Sequence, residues 1–372
     1  MREMKYPFLD LGTVNAPYLD ELRVAVDRVL SSGRYIGGPE VEHFEAVLAG
    51  ISGAAYAVGV SNGLDALRLI FRAYIAMGRL RPGDAVIVPD NTYIASVLAI
   101  SDAGLRPVLA DVSPDTLNLD TASLEKYYTP EVKAVLTVHL YGRPCYDDEL
   151  RNFVDRHNLL LIEDNAQAIG ALSADGRPTG SLGHAAAFSF YPTKNVGALG
   201  DAGAVTSSDA ELARTVRALA NYGSDTRYHN IYRGFNCRLD PIQAAVLNAK
   251  LPYLEKENAR RRALASVYDA EITNPHVVKP LMASPDNCVW HQYCILSDCR
   301  DELQAFLAEN GVGTDINYPV PVHLQPCYSE YAALSLPAAT SLAQRLLCLP
   351  VSACTSVADA AEISKIINLY EP

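Results

Sequence analysis

An α/β fold is what this sequence predicts: a large, mostly parallel sheet with helices on both faces, followed by a smaller C-terminal α/β domain. Three observations predict it. Short apolar runs alternate with amphipathic helical runs through the first 170 residues, the pattern of repeated strand–helix units. The strand-like runs are apolar on both sides of the period-two alternation, as strands covered on two faces must be. With 372 residues and 49% apolar content, the chain can bury one large core and a second smaller one.

Each element rests on local pattern. Leu19, Leu22, Val26, Val29 and Leu30 recur with helical period over 18–30, and Ser31-Ser32-Gly33 stops that helix. Gly37-Gly38 makes a turn, and Pro39 fits the first position of the next helix. Strands are expected at Ala55–Val60, Ala85–Val88, Pro107–Ala110, Ala134–Val138, Leu159–Ile162 and Ala185–Phe190. Helices are expected at Leu64–Ala76, Ile94–Ala103 and Asp147–His157. Past residue 240 the texture changes. Pro241–Tyr268 suits one or two long helices broken near Pro252, then Trp290–Leu296 reads as a strand, Arg300–Glu309 as a helix and Tyr318–Pro326 as a Pro-rich connection. The boundary is placed near residue 255, giving domains 1–255, with an N-terminal arm, and 256–372.

Composition excludes several function classes. A formal charge of −12 and a pI near 5.1 argue against a nucleic-acid-binding surface. An acidic chain repels anions at long range, so any phosphate site must be built locally. No apolar stretch approaches the ~18 residues of a membrane span and no signal pattern opens the chain, so a cytoplasmic protein is expected. The eight cysteines form no Cys-x-x-Cys and read as reduced, mostly buried thiols. Cys288-x-x-His291-x-x-Cys294 has metal-like spacing, but on a strand residues three apart face opposite sides, so no metal is expected there.

Three segments carry candidate chemistry. Gly59-Val60-Ser61-Asn62-Gly63-Leu64-Asp65 runs from a strand through a small-residue turn into a helix. The N–H groups of Gly63 and Leu64 could meet an anion there, or Ser61 or Asn62 could simply cap the helix. Glu163-Asp164-Asn165-Ala166-Gln167 ends an apolar strand, where buried acids need a charged partner. Tyr191-Pro192-Thr193-Lys194-Asn195 comes after the run ending at Phe190, with glycines at 197, 200 and 203 that let backbone approach a flat group. An acid and a lysine emerging from neighbouring strand ends match the needs of pyridoxal phosphate (PLP). A desolvated lysine amine holds its aldehyde as a Schiff base, and a carboxylate keeps its ring nitrogen protonated. Tyr93, on a strand-to-helix loop, could stack on a ring or lie in the core, and His323 sits in a Pro-rich loop.

Taken together, these segments resemble the fold type I PLP enzymes, and among them the nucleotide-sugar aminotransferases of the DegT/DnrJ/EryC1/StrS family. The resemblance runs from Pro7–Leu11 and Ser32–Val41 through Gly59–Leu67, Glu163–Gly170 and Phe188–Val205 to Asn221–Ser224, Gly234–Asp240 and Tyr318–Pro326. It implies that Lys194 carries the Schiff base, Asp164 pairs with the pyridine nitrogen, Gln167 meets the ring hydroxyl and Tyr93 stacks on the ring. Gly63, Leu64 and Ser189 would hold the phosphate, Leu64 with its backbone alone, since the family commonly has Thr or Ser there. Asn236 matches a position that reaches the phosphate from the neighbouring subunit, which implies a homodimer with shared active sites. Tyr191 and His323 would bind the sugar. Arg34, where an aromatic residue is usual, would meet the nucleotide diphosphate or be solvated.

The implied reaction is ping-pong transamination from L-glutamate to a keto group on a nucleotide-linked sugar. The stretch from Tyr191 to Val205 is most similar to members that aminate C3 of dTDP-3-keto-6-deoxyhexoses. Other readings on the same scaffold are a 4-ketosugar or cyclitol aminotransferase, or a non-enzymatic regulator. Lys194 counts against the dehydratase branch, where a histidine replaces that lysine.

Overall fold

The structure, a computed structural model, describes residues 4–279, 281 and 284–372. Its centre is a seven-stranded sheet of β1 (Tyr56–Val60), β2 (Ala85–Pro89), β3 (Arg106–Ala110), β4 (Val132–Val138), β5 (Leu160–Asp164), β6 (Ala185–Ser189) and β7 (Gly203–Ser207), in the order β1-β7-β6-β5-β4-β2-β3. Strands β6 through β3 pair in parallel, and β7 runs antiparallel between β6 and β1. The expected mostly parallel sheet is therefore present. Strand β7 is an addition that local pattern does not signal: Gly-Ala-Val-Thr-Ser is short and lacks a long β-branched run.

The helices of this part are α1 (Leu11–Asn15), α2 (Leu19–Ser32), α3 (Pro39–Ser52), α4 (Gly63–Ala76), α5 (Ala95–Asp102), α6 (Asp148–His157), α7 (Ala210–Ala220) and α8 (Pro241–Lys250). Alternate strand residues bury on opposite faces. Ala185 and Ala187 of β6 pack with Leu67 and Ile70 of α4, whereas Ala186 and Phe188 pack with Phe44 and Leu48 of α3 and Leu247 of α8. Ile87 of β2 and Leu161 of β5 meet Leu150 and Phe153 of α6 on that second face. Gly33, at φ +64°, ends α2, and Pro39 opens α3, both as expected.

A short hairpin, β8 (Ser224–Thr226) and β9 (His229–Asn230), comes after α7. Beyond α8 a 3-10 turn at Leu251–Tyr253 contains Pro252 and leads into α9 (Leu254–Glu271). The expected break near Pro252 is present, and the boundary expected near residue 255 falls in the first turn of α9. Its later turns join a second core with β10 (Tyr293–Leu296), α10 (Arg300–Glu309), β11 (Leu346–Leu349) and α12 (Val357–Asn368), while α11 (Pro337–Arg345) packs on the first core. The antiparallel pair β10–β11 divides the two: Cys294, Leu296, Leu346 and Cys348 face the first core, and Tyr293, Ile295, Leu347 and Leu349 the second. The N-terminal arm crosses to this second unit. Tyr6 donates its N–H to the Gly311 carbonyl at 2.9 Å and accepts from the Gly313 N–H at 2.8 Å. Among the described residues no helix is long and apolar enough to cross a membrane.

The strand expected at Trp290–Leu296 begins only at Tyr293, because Trp290 adopts φ +45° and a 3-10 turn at Pro285–Asn287 precedes it. The residues of the metal-like spacing have separate partners. The Cys288 thiol meets the Gly142 carbonyl, His291 Nδ1 bonds Asn195 Oδ1 at 3.0 Å, and Cys294 Sγ lies 3.5 Å from Cys348 Sγ.

Glu163 holds the end of β5 in place. Fully buried, its carboxylate accepts from His139 Nε2 and from the N–H groups of Gly180, Leu182 and Gly183, all at 2.8 Å. His139 Nδ1 accepts from the Cys145 N–H, so its proton sits on Nε2 and points at Glu163. Replacing the carboxylate strands three buried donors and a fourth, the Gly183 N–H, that is partly buried. Glu163→Ala is expected to lower unfolding stability by about 3 kcal/mol or more in a denaturant titration; a loss below about 1 kcal/mol would show that Glu163 is not a structural hub.

Candidate active site

The C-terminal ends of β2, β4, β5 and β6 open into one cavity of about 680 Å³, the position α/β sheets commonly give to ligands. Lys194, Asp164, Gln167, Ser189, Tyr191, Gly63, Leu64 and Tyr93 all line it. The second unit closes the other side with Asp315, Asn317, Tyr318 and Ser352, and the N-terminal arm adds Phe8 and Leu9.

Lys194 sits on a tight loop after β6. Its N–H bonds the Tyr191 carbonyl at 2.8 Å, and the Ala198 N–H returns to the Phe190 carbonyl at 2.8 Å. The next residue, Asn195, is fixed by Asn258, Val289 and His291. Half-buried on the cavity wall, the Lys194 amine is pushed down to about 8 by desolvation, against which the nearby Asp164 charge pulls it up. Asp164, buried at the end of β5, accepts from Ser96 Oγ at 2.6 Å and from the Ala166 N–H at 3.1 Å. Ser96 donates to that carboxylate and so takes its own hydrogen bond from the Thr92 hydroxyl, 2.9 Å away. The carboxylate is thereby oriented from the first turn of α5.

The anion corner combines both sequence readings. Asn62 caps α4, its side chain accepting from the Asp65 N–H at 2.8 Å, and the cap leaves the N–H groups of Gly63 and Leu64 unengaged at the cavity. A Cβ on Gly63 would lie 2.8 Å from Ser189 Cβ, and one on Gly203 would lie 2.4 Å from the Asn62 backbone carbon. Glycine at both positions lets the start of α4, the end of β6 and the start of β7 converge.

Gln167 is spanned by protein contacts. Its Oε1 accepts from the Tyr141 N–H at 2.6 Å, and its Nε2 donates to the Tyr318 hydroxyl at 2.8 Å. Tyr93, 60% exposed, lies on the cavity rim with its ring centroid 6.0 Å from that of Tyr318. Three predicted site residues lie elsewhere. Arg34 and Asn236 are outside the cavity lining, and His323 is buried against Asp90 rather than in the cavity wall. Sequence reasoning missed Ser96, Tyr141 and Tyr318 as site residues. Tyr141 and Tyr318 adopt φ of +61° and +60°, conformations that bulky side chains take only when the surroundings hold them, and no sequence pattern announces them. Ser96 stands three residues after Tyr93, on the turn that faces the acid. His291, weighed from sequence only as a metal ligand, lines the cavity as a neutral imidazole; burial and the nearby Lys194 and Arg261 charges hold it well below the usual histidine range.

The residues present fit PLP. The donor set joins a desolvated amine, a buried and oriented carboxylate, a free helix N-terminus with a serine hydroxyl, and an exposed aromatic face. If desolvation controls Lys194, an amine-acylating reagent followed by peptide mass spectrometry should modify it with a midpoint near pH 8. Neutralising its partner in Asp164→Asn should lower that midpoint, because the lost negative charge favoured the ammonium. An upward move would contradict the account.

Residues 19–368 match the model of the DegT/DnrJ/EryC1/StrS aminotransferase family. A dTDP-3-amino-3,6-dideoxy-alpha-D-galactopyranose transaminase of Aneurinibacillus thermoaerophilus is 45% identical over 98% of this chain and 99% of its own length. Among solved structures, S. venezuelae DesV in complex with a ketimine intermediate superposes with a TM-score of 0.93 at 44% identity, over 99% of this chain and 98% of that one. NtdA from Bacillus subtilis with bound cofactor PMP superposes with a TM-score of 0.89 at 29% identity, over 99% of this chain and 86% of the other. The fold, the lysine–carboxylate cavity and these likenesses agree: the chain belongs to the DegT/DnrJ/EryC1/StrS aminotransferase family and is a sugar aminotransferase.

Proposed function

We propose that this chain moves the amino group of L-glutamate to C3 of a dTDP-3-keto-6-deoxyhexose, using pyridoxal 5'-phosphate, in the cytoplasm and as a homodimer. The observation that carries the chemistry is the desolvated Lys194 facing Asp164 in one cavity with the α4 N-terminus. The substrate comes from likeness to the dTDP-3-amino sugar transaminase.

When bound, PLP supplies an aldehyde that takes up amines and a ring that withdraws electron density from the reacting carbon. The protein supplies the rest. Asp164, held by Ser96 and the Ala166 N–H, keeps a proton on the ring nitrogen. Gly63 and Leu64 N–H groups with Ser189 hold the phosphate, and Tyr93 offers its face to the ring. Gln167 meets the ring hydroxyl with its position set by Tyr141 and Tyr318. Lys194, near neutrality in proton affinity, takes a proton from the donor carbon and returns one to the acceptor carbon. Tyr191, half exposed on the cavity rim, contacts the nucleotide sugar. Asn236 lies outside the lining of its own chain's cavity, which supports a role toward a second copy.

The test is incubation of purified protein with PLP, L-glutamate and dTDP-3-keto-6-deoxyhexose, with the product's amine position read by NMR. A 3-amino sugar with stoichiometric 2-oxoglutarate is expected. Amination only of a 4-keto sugar would reject the substrate and keep the aminotransferase. Lys194→Ala should lose the absorption band near about 400–430 nm and turnover by roughly a thousandfold or more, while folding normally.

A further inference from the structure

From the contacts of two residues outside the cavity, we infer that Asp90 and His323 form a positioning pair that fixes Tyr93 and Tyr318 at the cavity rim, so that His323 serves the reaction through Asp90 and not by touching the sugar. Asp90 directly follows β2 and is fully buried; His323 is 2% exposed. One carboxylate takes both N–H groups of one histidine: Oδ1 accepts from the His323 backbone N–H at 2.8 Å, and Oδ2 lies 2.5 Å from Nδ1. Two bonds to one residue fix backbone and ring together. Asp90 is itself anchored, its N–H on the Ala110 carbonyl at 2.9 Å and its carbonyl accepting from Thr92 at 3.1 Å.

Both tyrosines hang on this anchor. Tyr93 is three residues past Asp90, on the loop into α5. Tyr318 is five residues before His323, and Pro319 and Pro321 between them restrict φ at two positions, so an anchor at one end is felt at the other. Tyr318 needs such an anchor, since its φ of +60° persists only when surrounding contacts hold it. Its hydroxyl then meets Gln167 Nε2, and its ring stands across from Tyr93. The strap from 318 to 323 crosses from the second unit to the sheet domain, and Asp90 is where it lands.

The inference rests on the cofactor reading above for what the two tyrosines flank. Its test compares His323→Ala, His323→Asn and Asp90→Asn in the full chain. Asparagine keeps a side-chain N–H near Nδ1 and removes Nε2. Cofactor affinity is read by quenching of the single tryptophan, Trp290, alongside kcat and KM for the keto-sugar. His323→Ala and Asp90→Asn should each weaken PLP binding about tenfold, the scale of one lost charge-assisted hydrogen bond. His323→Asn should restore affinity to within about threefold of the wild type, with the sugar KM unchanged throughout. Raised sugar KM with undisturbed cofactor affinity in both histidine variants would overturn the inference, because Nε2 would then be touching substrate. A wild-type protein that binds no PLP would overturn this inference together with the proposed function, whereas normal binding with the second pattern overturns this one alone.

Discussion

Desolvation of one amine beside one carboxylate is the constraint on which the site depends. A lysine in water holds its proton too tightly to exchange it near neutrality; enclosure of Lys194 removes that hold, and Asp164 restores part of it through space. Asp164 ends β5 and Lys194 stands on the tight loop after the neighbouring parallel strand β6, so sheet register and that loop together set their separation. The register is secured one residue upstream, where Glu163 gathers the loop from Gly180 to Gly183 against β5. The same strand end therefore carries a structural acid, Glu163, pointing away from the cavity and a second acid, Asp164, lining it, as alternation along a strand requires.

The second unit is part of the site. Its strap carries Asp315, Asn317 and Tyr318 to the cavity, and α9 sends Asn258 to the residue after Lys194. The N-terminal arm pairs with the second unit at Tyr6 and then delivers Phe8 and Leu9 to the cavity wall. The acidic chain offers an anion no long-range attraction. Binding there depends on local donors, and close packing at Gly63 and Gly203 keeps three backbone segments together to supply them.

Much of this is legible in the sequence, for a physical reason. Lys194, Asp164 and Gly63 each sit where a strand gives way to a loop or a helix, and covalent adjacency to a strand end fixes where a residue emerges. The strands β1 to β6 are legible because burial on both faces demands unbroken apolar runs. Strand β7 is not, since Gly203 serves close packing against Asn62 and the Thr206 and Ser207 hydroxyls bond the Gly180 and His184 carbonyls, which leaves only a two-residue apolar run. Strand β11 and helices α7, α11 and α12 are absent from the sequence-based expectations. The apolar pattern also starts the strand at Tyr293 three residues too early, because a positive φ at Trp290 depends on tertiary contacts. Ser96, Tyr141 and the partner of His323 depend on contacts between residues far apart in the chain, for which sequence spacing carries no signal.

The central claim is that Lys194 is the amine that engages the cofactor. Borohydride reduction of the protein loaded with PLP, followed by peptide mapping, tests it most directly. The account predicts a stable pyridoxyl mass on the peptide bearing Lys194 and on no other lysine. Label on the buried lysine Lys250, or no stable label at all, would contradict it.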